Sequence, residues 1–217
     1  MVYSLVRLCI GIIFFICLLY VFKRKRILNK KSLCSIILIT ILFTFCLFKL
    51  PVEKYLINFS CAEDAFRYFK SNDIITVIQG NNSCVVVYTE STLLGEDDSY
   101  NLLFLNKTEE GYKVLPKRPV AGEEGYFATP EISGFVYHIA NTQDTYILFH
   151  ISNKMKDIDI TDNRNSKMKS FITNTYGKVY YNWVDNIGKD EYYIMLDDEK
   201  IPMKKSLGEI YKETFIK

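Results

Sequence analysis

Two histidines, three spaced aspartates, two cysteines and a run of aromatic rings are the side chains in this chain with chemistry to offer. His138 and His150 fall on two short β-branched runs, 135–140 and 145–151, parted by Asn141, Thr142, Gln143 and Asp144. With that four-residue turn Ala140 pairs with Thr145 and His150 faces Phe135. Side chains alternate along a strand, so the two imidazoles point to opposite faces. The hairpin holds no third ligand at metal-site spacing, and the histidines read as packing or surface residues.

Asp157, Asp159 and Asp162 superficially suggest a calcium loop. Such a loop wants glycine at its sixth position, where this chain has Asp162. Ile158 and Ile160 alternate with the acids, the pattern of a half-buried strand with its carboxylates in water. Glu96, Asp97 and Asp98 read as a solvated acidic turn. No metal and no cofactor are expected.

Cys61 and Cys84 are the cysteines outside the two apolar N-terminal runs, 2–22 and 33–50. In an oxidising compartment they could pair, and such a loop would contribute about 3 kcal/mol. Tyr176, Tyr180, Tyr181, Trp183, Tyr192 and Tyr193 form the densest aromatic group. Val179, Tyr181 and Trp183 share one strand face, as core residues do, which leaves Tyr180 and Tyr192 as the candidates to meet a peptide or sugar. No serine-hydrolase elbow, zinc-protease helix, phosphate loop, dinucleotide fingerprint or C-x-x-C occurs. No catalytic residue is assigned.

The elements that carry these residues begin with two long apolar runs, 2–22 and 33–50, each long enough to cross a bilayer at roughly 20 residues per span. Between them stand Lys23, Arg24, Lys25, Arg26, Lys30 and Lys31. A short loop of such density stays on the cytoplasmic side, so loop 23–32 is expected there and both termini outside. A cleaved signal peptide does not fit, because no small-residue cleavage site follows the first run and the second run would go unexplained. Arg7 and Lys49 lie near the outer helix ends, where their stems let the charge reach the interface.

The first fifty residues hold eight basic side chains and no acid; the rest holds 19 basic and 25 acidic, a balance of −6. A mildly acidic exterior argues against a nucleic-acid partner. Heavy use of Tyr, Phe, Ile, Lys and Asn with little Ala and Gly is the bias of an AT-rich genome, read here as bacterial.

After a connector, 51–59, Ser60 and Glu63 form a capping box, and Ala62, Ala65, Phe66 and Phe69 repeat at helical spacing towards Ser71 and Asn72. Runs 74–79, 83–88, 102–106 and 112–115 predict two hairpins, the first closed by Gly80, Asn81 and Asn82. Residues 60–115 thus predict a helix on a four-stranded antiparallel sheet. Prolines and glycines over 116–130 mark a linker or wrapping loop. Short runs through 131–203 predict a small β-sandwich-like unit. A second capping box, Ser206 and Glu209, opens a predicted C-terminal helix, 204–217.

The expectation is a membrane-anchored α+β chain: a two-helix transmembrane hairpin, 1–50, displaying a mainly antiparallel extracytoplasmic region. Its expected role is non-enzymatic, binding a protein, peptide or cell-wall ligand as an accessory, sensory or immunity-type factor in the plasma membrane, with the lipid bilayer as its first partner. The rivals are a surface hydrolase with dispersed residues and a small subunit of a transport or secretion complex.

Overall fold

The computed structural model describes residues 2–27, 29–49, 57–90, 99–115, 119, 125–151, 160–187, 192–197 and 199–205. The acidic turn 96–98, Asp157, Asp159, most of the 116–130 segment and nearly all of the predicted C-terminal helix lie outside them.

Helix α1 (Val2–Arg24) and helix α2 (Lys30–Lys49) are both long and apolar enough to cross a membrane. They pack on each other: Phe14 stacks on Phe43 at 4.1 Å, and Gly11 lets Thr44 approach so closely that a Cβ would lie 2.6 Å from its Oγ1. Between the helices the chain turns sharply. Arg26 takes a left-handed conformation (φ 54°), with Ile27 N–H bonded to the Phe22 carbonyl and Arg26 N–H to that of Lys23. These are the two bonds of a Schellman stop. Asn29 and Ser32 then exchange reciprocal 2.8 Å bonds that start α2. All six cations of the turn are exposed. Arg7 departs from expectation. It is fully buried, its guanidinium 5.7 Å from the Phe48 ring centre on α2.

Helix α3 (Ala62–Phe69) begins one residue later than its sequence suggests. Cys61 is the N-cap, its sulfur accepting from Asp64 N–H at 3.4 Å, while Ser60 donates its hydroxyl to the Asp64 carboxylate at 2.7 Å. The helix lays Ala62, Ala65 and Phe66 on the first sheet, built from β1 (Ile74–Gln79), β2 (Ser83–Glu90), β3 (Ser99–Thr108) and β4 (Gly111–Val114) in sequence order, antiparallel throughout.

A second sheet contains β5 (Gly125–Ala128), β6 (Ile132–His138), β7 (Asp144–Ile151), β9 (Lys169–Thr173) and β10 (Gly177–Asp185), in the order β5-β6-β7-β10-β9. A third, order β12-β11-β8, is formed by β8 (Ile160–Asp162), β11 (Tyr193–Leu196) and β12 (Glu199–Pro202). The protein is therefore α+β.

The sheets stack. One face of the middle sheet meets the first sheet: Tyr137, Tyr146, Leu148 and Tyr181 pack on Ile78, Val85, Val87 and Phe104. Its other face meets the third, Val136, Ile147 and Phe149 against Ile160, Ile194 and Ile201. Strand β2 has α3 on one side and the middle sheet on the other, so Ser83 to Tyr88 are all buried. Covered on both faces, such strands lose the polar–apolar alternation of a half-exposed strand. The units read from the sequence as 60–115 and 131–203 thus share an apolar layer.

The β6–β7 register differs from the expected one by two residues. His138, not Ala140, pairs with Thr145, and His150 faces Ser133. Ile139 leaves the strand because its side chain fills the layer between the sheets, and the loop opens there instead. A shift of two preserves faces, so the histidines still point to opposite sides.

Gly111 sits at φ +127°, and a Cβ there would overlap the carbonyl oxygen of Phe59, which pairs with Tyr112. Gly111→Ala is expected to cost about 1–3 kcal/mol, read as a lower unfolding midpoint of the detergent-solubilised chain; an unchanged midpoint would mean that this edge contact is dispensable.

Candidate functional site

Two buried aspartates hold the sheets in register. Asp144, the first residue of β7, is fully buried. Its Oδ1 accepts from Asn81 N–H (3.0 Å) and from the Trp183 indole N–H (3.0 Å). Its Oδ2 accepts from Asn82 N–H (2.8 Å) and the Ser83 hydroxyl (2.6 Å). Four donors saturate the carboxylate, which is the condition for burying one. The Tyr146 hydroxyl, 2.8 Å from Ser83 Oγ, closes the group, and burial pushes that phenol well above its ordinary range. Gly80 is required beside it: a Cβ there would lie 2.6 Å from Tyr146 Oη and 2.7 Å from Asp144 Oδ2.

Asp162 does the same between the middle and third sheets. Its Oδ1 accepts from the N–H groups of Arg164 (2.9 Å) and Ser166 (2.7 Å), and its Oδ2 from Tyr192 Oη (3.1 Å) and Asn182 Nδ2 (3.3 Å). Its expected exposure is therefore corrected: Asp162 and Ile160 face the core together. Tyr192 is corrected with it. It is 2% exposed, its hydroxyl spent on Asp162, and it offers nothing to a ligand. Tyr180 is half-buried, stacked on Phe149 at 5.7 Å with Lys178 over its ring.

Ser83, Asp144 and Tyr146 have the residue types of a hydrolytic site, but all three are sealed from solvent and each oxygen is committed to the seam. His138 lies with Nδ1 3.3 Å from Thr145 Oγ1, and His150 packs on the Tyr176 ring at 5.2 Å. Neither lines either of the two grooves between the β1 and β9 edges. Among the described residues no group of three or more His, Cys, Asp or Glu side chains could hold a metal.

Cys61 and Cys84 are both free. Cys61 spends its sulfur on the helix cap. The Asp64 N–H bond draws that thiol down, but desolvation and the carboxylates of Asp64 and Glu63 outweigh it and the thiol titrates above its ordinary 9.0. Burial pushes Cys84 up to about 12. Neither is poised as a thiolate nucleophile.

What remains open to solvent lies at the sheet edges. Three edges are capped by short segments: Phe59 pairs with Tyr112 on β4, Lys204 with Tyr126 on β5, and Lys167 with Thr161 on β8. Where β4 stops short of β3, Asn101 Oδ1 accepts from Leu102 N–H at 2.8 Å; where β9 stops short of β10, Asn182 Oδ1 accepts from Trp183 N–H at 2.9 Å. The outer edges of β1, β9 and β12 carry no strand partner among the described residues. Those of β1 and β9 adjoin, and grooves run between them. The larger, about 200 Å³, is lined by Val77, Ile78, Gln79, Lys169, Tyr181, Asn182 and Trp183. A smaller hollow of about 80 Å³ lies by Ile75, Thr89, Ile172, Thr173 and Asn174. No residue pattern marks this groove in advance, since an edge is defined by which strands pair and not by residue type.

No protein family, curated protein or solved structure matches this chain. The groove and the seam beneath it are thus read on their own geometry.

Asp144→Ala would strand the Asn81 and Asn82 amides, the Ser83 hydroxyl and the Trp183 indole at once. It is expected to destabilise by about 3–5 kcal/mol, with a red-shifted emission from Trp183, the only tryptophan; unchanged unfolding and emission would deny the seam its role. A pH effect has another source. Burial holds the His150 imidazole below its ordinary 6.5. The unfolded chain then takes up that proton first, so His150's contribution to stability is full above pH 6.5 and is lost as the pH falls below it. His150→Gln is expected to flatten that part of the acid-side slope in unfolding measured from about pH 7.5 to 5.

Proposed function

We propose that this chain is a two-pass membrane protein whose helical hairpin displays a non-enzymatic, extracytoplasmic binding domain, acting as an accessory, sensory or immunity-type factor. The observation that carries binding is the groove between β1 and β9–β10. It is the larger of two grooves described between those edges, and the aromatic residues Tyr181 and Trp183 line it beside a lysine. Its ligand would be a protein, peptide or cell-wall component.

Membrane anchoring is supported by the surface of the hairpin. Leu5, Ile12, Ile13 and Ile16 on α1 and Leu38, Ile41, Leu42 and Phe45 on α2 are all 50% or more exposed, an apolar girdle that water would not tolerate. The six exposed cations of the turn favour its retention in the cytoplasm, which puts the acidic remainder outside. The non-enzymatic reading is supported by what lines the two grooves among the described residues: backbone, apolar, aromatic, amide and hydroxyl groups with one lysine, and neither histidine nor carboxylate.

Two measurements test this reading. A cysteine introduced at exposed Glu131, in a Cys61→Ser background that keeps a capping oxygen on α3, is expected to react with a membrane-impermeant maleimide on intact cells. Reaction only after lysis would invert the topology. A photo-cross-linking residue at position 169 is expected to give a discrete adduct in cells, whereas one at Glu199, on β12, gives none; identical patterns from both positions would remove the groove from consideration.

A further inference from the structure

We infer that the groove takes an extended peptide as an added strand on β1, with a carboxylate-bearing side chain of that peptide set over Lys169; this rests on the binding role proposed above and names its ligand class.

The edge itself dictates the occupant's backbone. Gly80 N–H bonds to the Ser83 carbonyl and closes the β1–β2 hairpin. Along an antiparallel strand the main chain alternates between facing its partner and facing away. Counting back from Gly80, Ile78 turns its N–H and C=O to β2, while Val77 and Gln79 turn theirs to the open edge. Side-chain placement agrees. Val77 packs on the α3 side of the sheet, and Gln79 accepts there from the Tyr112 hydroxyl at 3.4 Å. The parts of Val77 and Gln79 that border the groove are therefore main chain. Unpaired N–H and C=O groups at strand spacing are satisfied by another strand.

The opposite wall leaves this edge free for an incoming strand. At the end of the groove, Asn182 has already satisfied the Trp183 amide, so β10 does not compete for the incoming strand. Tyr181 and Trp183 form an aromatic floor beneath every second peptide side chain. Both rings are fixed, Tyr181 by its hydroxyl 3.4 Å from Thr76 Oγ1 and Trp183 by its bond to Asp144. A pre-set floor lowers the ordering cost of binding.

Charge selects the ligand. Lys169 is exposed, and among the described residues it is the one charged side chain on the groove. Its complement is an acidic side chain. A basic peptide would meet it with repulsion.

The experiment uses the full chain in lipid nanodiscs and a displayed library of random octapeptides. Panning is expected to enrich alternating β-branched sequences with Asp or Glu at one fixed place. For an enriched peptide, Trp183 fluorescence gives the affinity, and hydrogen exchange should show new protection at the Val77 and Gln79 amides. Lys169→Glu is expected to weaken binding about tenfold or more, and a peptide with Lys in place of its acid should recover it. Gln79→Pro removes one outward donor without touching the β1–β2 ladder and should also weaken binding; should that variant fail to fold, the exchange measurement on the unaltered chain decides.

No enrichment, or enrichment of sequences without an acid, overturns the proposal. So does binding that leaves Val77 and Gln79 unprotected, although a discrete adduct from position 169 would then keep the broader binding role intact. If Lys169→Glu changes the mass of the peptide-free assembly, the occupant is a second copy of this chain and the peptide proposal fails.

Discussion

A saturated carboxylate beneath two sheets is what the rest of the molecule depends on. Asp144 draws the β1–β2 turn down onto the start of β7 through three donors from that turn, and takes a fourth from Trp183 on β10. Apolar layers between sheets are non-directional and would accept several relative placements. A carboxylate that must find four donors accepts one. It fixes how far β1 overlaps β10, and with that the width of the groove between them. The cost of this precision is borne at Gly80, where no side chain fits.

Asp162 repeats the device at the other interface, and the two are linked at one end of the stack. Asn81 reaches Asp185 through its amide at 3.4 Å, and the Arg164 guanidinium donates to the carbonyls of Asp185 (2.6 Å) and Asn186 (2.7 Å). A polar seam thus crosses all three sheets where β7 begins and β10 ends. Between the ends the layers are apolar. This division suits a stack of sheets: oil-like packing supplies most of the stability, and a few satisfied polar groups choose the alignment.

Much of the architecture was legible, for identifiable reasons. The helical stripe of α3 and the turn residues at Gly80–Asn82 are local signals, and local signals survive into the fold. The opposite facing of His138 and His150 came through even though the register moved, because direction depends only on parity. Asp144 and Asp162 were not legible. A buried aspartate that caps backbone N–H groups sits in the same turn-like, polar context as a solvated one, and only the sheet opposite tells them apart. Tyr192 failed with Asp162, its partner. The capping of α3 by a thiol in place of Ser60 turned on a one-residue choice between neighbours, below what spacing resolves.

The stack also limits where such a molecule can recognise anything. Both faces of the middle sheet are covered by other sheets, and those of the first by α3 and the middle sheet. Three edges carry a capping segment, and two strand ends have their stray amides satisfied by an adjacent asparagine. Exposed edges invite unwanted pairing, and this chain has closed them at several separate places. Of the edges without a strand partner among the described residues, that of β1 lies beside an aromatic floor. Main-chain pairing alone discriminates poorly among peptides, since every extended segment offers the same groups. Selectivity at such an edge has to come from the wall facing it, and here that wall is Tyr181, Trp183 and the charge of Lys169. The polar seam holds Trp183 in place through Asp144, so the group that aligns the sheets also helps set the shape of that wall.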